Sequence, residues 1–144
     1  MVVIGCDHGG FELKEQVKVF VRDMGKVIED VGTYSTDSVD YPDIALKVAR
    51  YALENGVPGI LICGSGIGMS IAANKVNGIR CALCHDAYTA EFSRRHNNAN
   101  IIAFGGRTTG IEIAKQMVKI FLSTEFDGGR HQRRIDKISN LEEL

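Results

Sequence analysis

The sequence predicts an α/β fold in which helices cover both faces of a mostly parallel sheet. Two observations favour this class. Short apolar, β-branched segments alternate with longer segments whose apolar residues recur at helical spacing. Glycines such as Gly56 and Gly78 follow the helical segments, at positions where helices commonly end. The alternation runs on without a linker or a repeat, so we expect one domain over residues 1–144.

The predicted elements follow one another in strand–helix order along the chain. Five segments are predicted strands: Val2–Cys6, Lys26–Asp30, Gly59–Cys63, Arg80–Cys84 and Asn100–Phe104. Five are predicted helices: Gly10–Met24, Pro42–Asn55, Ile67–Val76, Asp86–His96 and Thr109–Leu122. Pro42 suits the first turn of its helix, and Asp40 is placed to cap it.

A further helix is predicted after the turn at Gly128–Gly129. Its apolar residues fall on one face: Ile135, Ile138, Leu141 and Leu144. We expect this face to pack either on the domain or on a second subunit.

The composition excludes several classes of partner. Charged residues make up 24% of the 144 residues and the net charge is −1, so neither nucleic acid nor a membrane surface is an expected partner. No apolar run reaches the length of a membrane span, and "MVVIGC" lacks the basic start of a signal peptide. We therefore expect a cytoplasmic protein whose four cysteines, at positions 6, 63, 81 and 84, are free thiols.

Ligands of open parallel sheets bind at the carboxyl ends of the strands. Five stretches hold that position here: Cys6–Gly10, Val31–Asp40, Cys63–Gly68, His85–Asp86 and Gly105–Arg107. Three of the five are rich in glycine, and several carry titratable groups. The chemistry of the protein is therefore expected at this edge of the sheet.

The turn after the third predicted strand, in "ILICGSGIGMSIAANK", has glycines in the pattern G-x-G-x-G. Its backbone N–H groups and the following helix dipole can bind an anion, although composition alone favours a plain tight turn equally. It is neither a P-loop, which needs Lys-Ser/Thr, nor a full dinucleotide fingerprint, because Met69 replaces the third glycine. Cys63 at the strand end is either a small buried residue or a reactive thiolate at a helix start.

The stretch "CALCH" matches the pattern of c-type haem attachment, but we reject that function. It is predicted to be a buried strand, in which residues three apart face opposite sides of the sheet. A zinc half-site at Cys81 and Cys84 fails for the same reason.

Other titratable residues each allow two interpretations. Asp7 and His8 can orient a hydroxyl or move a proton, or Asp7 can cap the first helix. His96 is either a general acid/base or a favourable partner of a helix dipole. The arginines at positions 107, 130 and 134 either bind a phosphate or a carboxylate, or form a solvated basic face.

Five motifs in the same order resemble the ribose-5-phosphate isomerase B family, which includes galactose-6-phosphate isomerase subunits. The motifs are "GCDHGGFELK", "DYPD", "ICGSGIGMSIAANK", "RRHNNANIIAFGGR" and "GGRHQRR", and they cover nearly the whole chain. The resemblance implies a three-layer α/β/α sandwich with a five-stranded parallel, Rossmann-like sheet. It implies an aldose–ketose isomerase of the pentose phosphate pathway, without a metal or an organic cofactor. It also implies a homodimer or homotetramer with active sites shared between subunits.

The resemblance assigns roles residue by residue. Cys63 matches the base that takes the proton from sugar C2, and His96 matches the group that opens the furanose ring, with Asn97 beside it. The anion hole for the enediolate matches Gly64, Ser65, Gly66, Ile67 and Gly68. Sugar contacts match Asp7 and Tyr41, and phosphate contacts match His8, Arg107, Arg130 and Arg134. Met69 stands where a second branch of the family has a glutamate base, so the chain matches the cysteine branch.

Two alternatives remain at this stage. A six-carbon substrate, allose or galactose 6-phosphate, would use the same loop with a different pocket size. A nucleotide-binding module would use the loop without chemistry, but Cys63, His96 and the arginines would then have no explanation.

Overall fold

The computed structural model describes all residues from 1 to 144 and contains one five-stranded parallel sheet. The strands lie in the order β2-β1-β3-β5-β4. Their bounds are Val2–Cys6 (β1), Ile28–Asp30 (β2), Gly59–Cys63 (β3), Cys81–Leu83 (β4) and Ile101–Gly105 (β5). The predicted parallel sheet is confirmed. The edge strands β2 and β4 are shorter than predicted, because each pairs with a single neighbour over three residues only.

Six helices connect and follow the strands. Their bounds are Phe11–Asp23 (α1), Tyr41–Asn55 (α2), Ile67–Ala73 (α3), Ala87–Arg95 (α4), Ile111–Ser123 (α5) and Arg130–Asn140 (α6). Helices α1, α4 and α5 pack on one face of the sheet, and α2 and α3 pack on the other. The chain thus forms the three layers that the sequence predicted. None of these helices has the length and hydrophobicity needed to cross a bilayer.

Two details of the helix ends differ from the predictions. Asp40 precedes α2 as expected, but its side chain makes no capping hydrogen bond, and Pro42 alone marks this start. Helix α3 ends at Ala73 rather than at Val76. By contrast, Asp86 caps α4 in a reciprocal capping box with Thr89.

The side chains of each inner strand alternate between the two cores, as the pleat of a sheet requires. Cys84 lies in the core under α1, α4 and α5, whereas Cys81 packs against the opposite core. This confirms that the two cysteines of "CALCH" face opposite sides of the sheet. All four cysteines are free thiols.

The apolar residues predicted for one face of the last helix divide between the two packing options, and α6 ends before Leu141 and Leu144, which lie in and after a short 3-10 turn. Ile135 is buried against the domain, whereas Ile138, Leu141 and Leu144 are 46, 61 and 99% exposed. The exposed part of this face is therefore free to meet a second subunit.

A buried ion pair ties α1 to the loop after β2. Lys14 is fully buried, and its Nζ lies 2.8 Å from Asp30 Oδ1 and 2.5 Å from the carbonyl oxygen of Thr33, to which it donates. Lys18 donates to the other carboxylate oxygen at 2.7 Å. The cluster fixes the start of the segment that leads to Tyr41. Lys14 had no role among the predictions made from the sequence.

We expect Lys14→Met to lower the free energy of unfolding by about 3 kcal/mol, because it leaves a buried carboxylate with one cation fewer. The loss of stability is limited because Lys18 still pairs with Asp30. Urea denaturation at pH 7 measures the effect. Lys119→Met, the same exchange at an exposed position of α5, serves as the control and should change little.

The same pair gives the stability a defined pH dependence. Burial by itself would raise the pKa of Asp30, but the hydrogen bonds from Lys14 and Lys18 outweigh it and hold the pKa below its usual value. Such a carboxylate adds stability above its unfolded pKa, about 4, and loses it as the pH falls through the folded pKa. The difference between wild type and Lys14→Met should therefore shrink below about pH 4. If the difference in the free energy of unfolding stayed constant down to about pH 2, the ion pair would not be its source.

Candidate active site

Cys63 ends β3 at the carboxyl edge of the sheet and is only 5% exposed. The N–H of Gly66 donates to its Sγ at 3.0 Å. Gly66 has φ of +80°, and a Cβ atom there would lie 2.7 Å from the Cα of Phe104, so the turn needs glycine at this position. The turn therefore supplies the thiol with a fixed donor, which stabilises negative charge on the sulfur.

The other three thiols lie in environments that oppose ionisation. Burial raises the pKa of Cys6 to about 11, that of Cys81 to about 12 and that of Cys84 to about 11. At neutral pH these three remain protonated. Of the four cysteines, only Cys63 accepts a backbone N–H hydrogen bond.

The loop after Cys63 presents unpaired backbone donors. The N–H of Ile67 donates to Ser65 Oγ at 3.2 Å, whereas the N–H groups of Ser65, Gly68 and Met69 have no acceptor within the chain. Unpaired N–H groups at the amino end of a helix are able to bind an anion. The arrangement fits the predicted anion hole over Gly64–Gly68 better than a plain turn.

The loops after β1 and β5 pack directly against this turn. A Cβ atom at Gly9 would lie 3.0 Å from the Gly64 nitrogen, and one at Gly106 would lie 2.4 Å from the Gly9 oxygen. Glycine at these contacts lets three strand ends meet. Asp7, which is 6% exposed, accepts from the Gly9 N–H at 2.9 Å, so it closes a local turn and does not cap α1.

Three further predicted residues lie at this edge. The Tyr41 ring packs on the first turn of α3, where a Cβ atom at Gly68 would lie 2.6 Å from it. His8 accepts from the Val39 N–H through Nδ1 at 3.3 Å, which leaves Nε2 unpaired. The Arg107 side chain extends beside Gly64 and makes no ion pair. The carboxyl-edge cluster therefore consists of Asp7, His8, Tyr41, Cys63, Gly64–Gly68 and Arg107.

His96 and Asn97 lie at the opposite, amino edge of the sheet. His96 ends α4, and a short turn leads from it into β5 at Ile101. Cys63 pairs with Gly105, at the far end of that strand. At the usual rise per residue, Ile101 and Gly105 are about 13 Å apart along β5. One chain therefore does not bring His96 to Cys63.

Arg130 and Arg134 accompany His96 at the amino edge. Both are exposed at the start of α6 and neither makes an ion pair. The N–H of Asp127 donates to the Arg95 oxygen at 3.0 Å and holds this segment against α4. The amino-edge cluster consists of His96, Asn97, Arg130 and Arg134.

His131 is a member of this region that the sequence analysis did not assign. Its ring stacks on that of His96, with centroids 4.1 Å apart and planes 13° apart. Partial burial lowers the pKa of His131, and the positive charges of His96, Arg130 and Arg134 lower it further. Its place in "GGRHQRR" was the available signal, but the contact joins residues 35 positions apart, which no local pattern shows.

His96, Asp127 and His131 have ligand atoms within 4.8 Å of one another, the spacing of a small metal site. The geometry does not fit such a site. A metal lies near the plane of each imidazole that binds it, and two nearly parallel rings 4.1 Å apart share no such position. Asp127 is also occupied by Arg95, at 3.2 Å.

The main cavities of the chain lie away from Cys63. One of about 520 Å³ is lined by Asn97, Ile138 and Leu141, and one of about 420 Å³ lies beside Gly56 and Arg94. Neither they nor a third, smaller cavity is lined by Cys63. None of these three cavities is therefore part of the carboxyl-edge cluster.

Comparison with known proteins identifies the family of the chain. The model of the Ribose/Galactose Isomerase family matches residues 2–138. The chain belongs to this family. It is 44% identical over 143 residues to ribose-5-phosphate isomerase B of Escherichia coli, with 99% of this chain and 96% of the relative covered. It is 42% identical over 147 residues to D-erythrulose-4-phosphate isomerase of Pectobacterium atrosepticum, with 98 and 94% covered.

The fold agrees with this membership. The solved structure of ribose-5-phosphate isomerase B from Clostridium thermocellum superposes with a TM-score of 0.97 at 48% identity, covering 99% of this chain and 97% of that one. The chain is accordingly a sugar phosphate isomerase of the ribose-5-phosphate isomerase B type. The predicted family, fold class and enzyme class are confirmed.

Proposed function

We propose that the enzyme interconverts D-ribose 5-phosphate and D-ribulose 5-phosphate through an enediolate. The single observation that supports this most is the Cys63 thiol, which accepts the Gly66 N–H beside three unpaired loop N–H groups. A base and an anion hole placed next to each other are what proton transfer alpha to a carbonyl requires.

The proton-transfer step uses the carboxyl-edge cluster. The Cys63 thiolate takes the proton from C2, and the electron pair of that bond forms the C1–C2 double bond while the carbonyl oxygen becomes an oxyanion. The N–H groups of Ser65 and Gly68 then bind the oxyanion, and one such donor is typically worth about 10²–10³ in rate. The thiol returns the proton to C1, and the hydroxyl proton moves from O2 to O1, which gives the ketose.

Ring opening requires a second acid/base, because ribose 5-phosphate is mostly a closed furanose. The bond between C1 and the ring oxygen breaks, the O1 hydroxyl loses a proton and the ring oxygen gains one. We propose that His96 moves this proton and that Asn97, Asp7 and Tyr41 contact the sugar hydroxyls. Neither ring nitrogen of His96 has a hydrogen-bond partner within the chain, so both are available to substrate.

The two clusters work together only if two chains combine. In a symmetric dimer, the amino edge of one protomer meets the carboxyl edge of its partner, and the reciprocal contact forms at the same time. The exposed apolar residues Ile138 and Leu141 beside the amino edge support such an interface. We therefore propose a homodimer, or a homotetramer built from it, with each site shared between two protomers.

Phosphate binding is proposed for four residues, two from each edge. His8 and Arg107 belong to one protomer, and Arg130 and Arg134 belong to its partner. The three arginines have no acidic partner in the chain, which suits a doubly charged ligand. Because the phosphate is far from C1 and C2, its binding energy positions the reacting atoms. The free thiols agree with a cytoplasmic location, which we also propose.

The second candidate function is isomerisation of a sugar phosphate with a different number of carbons. One similar protein, the relative named D-erythrulose-4-phosphate isomerase, is named for a four-carbon substrate. Allose and galactose 6-phosphates would need more space between the anion hole and the arginines. The loop chemistry is the same in all three cases.

The direct test is isomerisation by the purified protein in the presence of EDTA. We expect kcat/KM to be highest for ribose 5-phosphate among four-, five- and six-carbon aldose phosphates. A higher kcat/KM for another length would replace the substrate but keep the mechanism. Absence of conversion for every length would contradict the proposal, and binding of a nucleotide instead would favour a non-catalytic module.

A further inference from the structure

The orientation of His96 is set by rings rather than by a hydrogen bond. His131 stacks on one face of the imidazole at 4.1 Å, and Phe92 meets it nearly edge-on at 4.7 Å and 66°. Catalytic histidines are usually oriented by a carboxylate or carbonyl on the second nitrogen. His96 has no such partner within the chain.

The nearest carboxylate does not take that role. Both oxygens of Asp127 lie 3.2 Å from Nε of Arg95. Arg95 also pairs with Glu91 at 3.1 Å. The Asp127 carboxylate is thus paired with Arg95 on α4. Only the rings of Phe92 and His131 hold the plane of the His96 imidazole.

Burial and the positive charges around the stacked pair lower the pKa of His131. Arg130 and Arg134 on α6 oppose a positive His131, whereas Asp127 before α6 favours it weakly. Arg95, on α4, pairs with both Glu91 and Asp127, so these three groups together carry one negative charge against the two positive charges of Arg130 and Arg134. Two imidazolium rings at 4.1 Å would repel each other, while a neutral ring stacks favourably on a cationic one.

We propose that His131 is a positioning residue for ring opening, whose ring stacks on His96 and fixes its plane. The inference rests on the proposed ring-opening function of His96. It adds a role for a residue whose own ring does not react with the sugar.

Kinetics of three variants test the positioning role. Removal of the ring in His131→Ala should lower the single-turnover rate with ribose 5-phosphate by about tenfold, because misplacing an acid/base group is costly. His131→Phe keeps a stacking ring and should recover most of the rate, whereas His131→Gln should not. KM should stay near the wild-type value. Gln132→Ala, an exposed change on α6, is the matched control.

A second readout separates ring opening from the rest of the reaction. The C1 proton of ribulose 5-phosphate exchanges with solvent deuterium without any ring, so His131→Ala should leave this exchange near normal. The inference is overturned if His131→Phe turns over ribose 5-phosphate no faster than His131→Ala. It is also overturned if proton exchange in His131→Ala falls as much as ribose 5-phosphate turnover. A rise in KM in place of a lower rate would overturn it too, because it would indicate a direct contact between His131 and the phosphate.

Titration by NMR tests the coupling without any activity. The chain has only four histidines, so each ring can be assigned by substitution. In His96→Phe, which keeps the stack but removes the charge, the midpoint of His131 should rise toward that of an ordinary histidine. An unchanged midpoint would overturn the coupling even if the enzyme is active. Conversely, a shifted midpoint in a protein without isomerase activity would place the fault in the proposed function.

Discussion

Cys63→Ala is expected to lower kcat for ribose 5-phosphate at least about a thousandfold, because it removes the general base. The Gly66 N–H would then face a methyl group in place of the thiolate. Binding should persist, because the phosphate contacts lie on other residues. Steady-state kinetics measures kcat, and isothermal titration with a non-isomerising sugar phosphate measures the retained affinity.

Cys84→Ala is the matched control for this experiment. Cys84 is fully buried in the opposite core, and its raised pKa keeps it a thiol at neutral pH. Its loss should cost stability but not the rate per folded molecule. Near-normal turnover by Cys63→Ala would remove the thiol from the base role and leave the carboxylate of Asp7 as the next candidate.

His96→Asn is expected to separate the two halves of the reaction. Consumption of ribose 5-phosphate should fall by about 10²–10³, because the closed ring then opens without its acid/base. Exchange of the C1 proton of ribulose 5-phosphate with deuterium needs only Cys63 and the anion hole, so it should remain near the wild-type rate. Isotope exchange avoids the equilibrium constraint that ties the two directions together at limiting substrate.

His85→Asn provides the control for His96→Asn. His85 is exposed at the start of α4, and the proposal gives its ring no role. The ring-opening assignment loses its support if His96→Asn slows exchange and consumption equally. In that case the residue would act on binding or on the enediolate itself.

Much of the fold follows from local patterns in the sequence. Alternating strands and helices imply the parallel sheet, and G-x-G-x-G after Cys63 indicates a turn that only glycine can make, as Gly66 shows. The short edge strand β4 was overestimated, because its apolar composition resembles that of an inner strand. Local pattern cannot tell which strand has a neighbour on one side only.

The candidate site residues were predicted one by one, but their arrangement in space was not. Parallel strands bring Cys63 and Arg107 to one edge, and each helix returns the chain to the other, where His96 lies. Lys14 was missed because a charge within an apolar stripe gives no sign of its buried partner, Asp30. His131 was missed because its contact with His96 joins two helices that are distant in sequence.

The central claim is a site divided between two protomers, and mixed dimers test it most directly. Chains carrying Cys63→Ala and chains carrying His96→Asn are co-expressed with different tags, and the mixed dimer is purified through both. It should regain about half of the wild-type ribose 5-phosphate turnover, because one of its two sites combines an intact Cys63 with the partner's intact His96. Wild type paired with a chain carrying both substitutions should be nearly inactive, since each site then lacks one group. The opposite pattern, activity only in the second mixture, would place both groups in one chain and contradict the account.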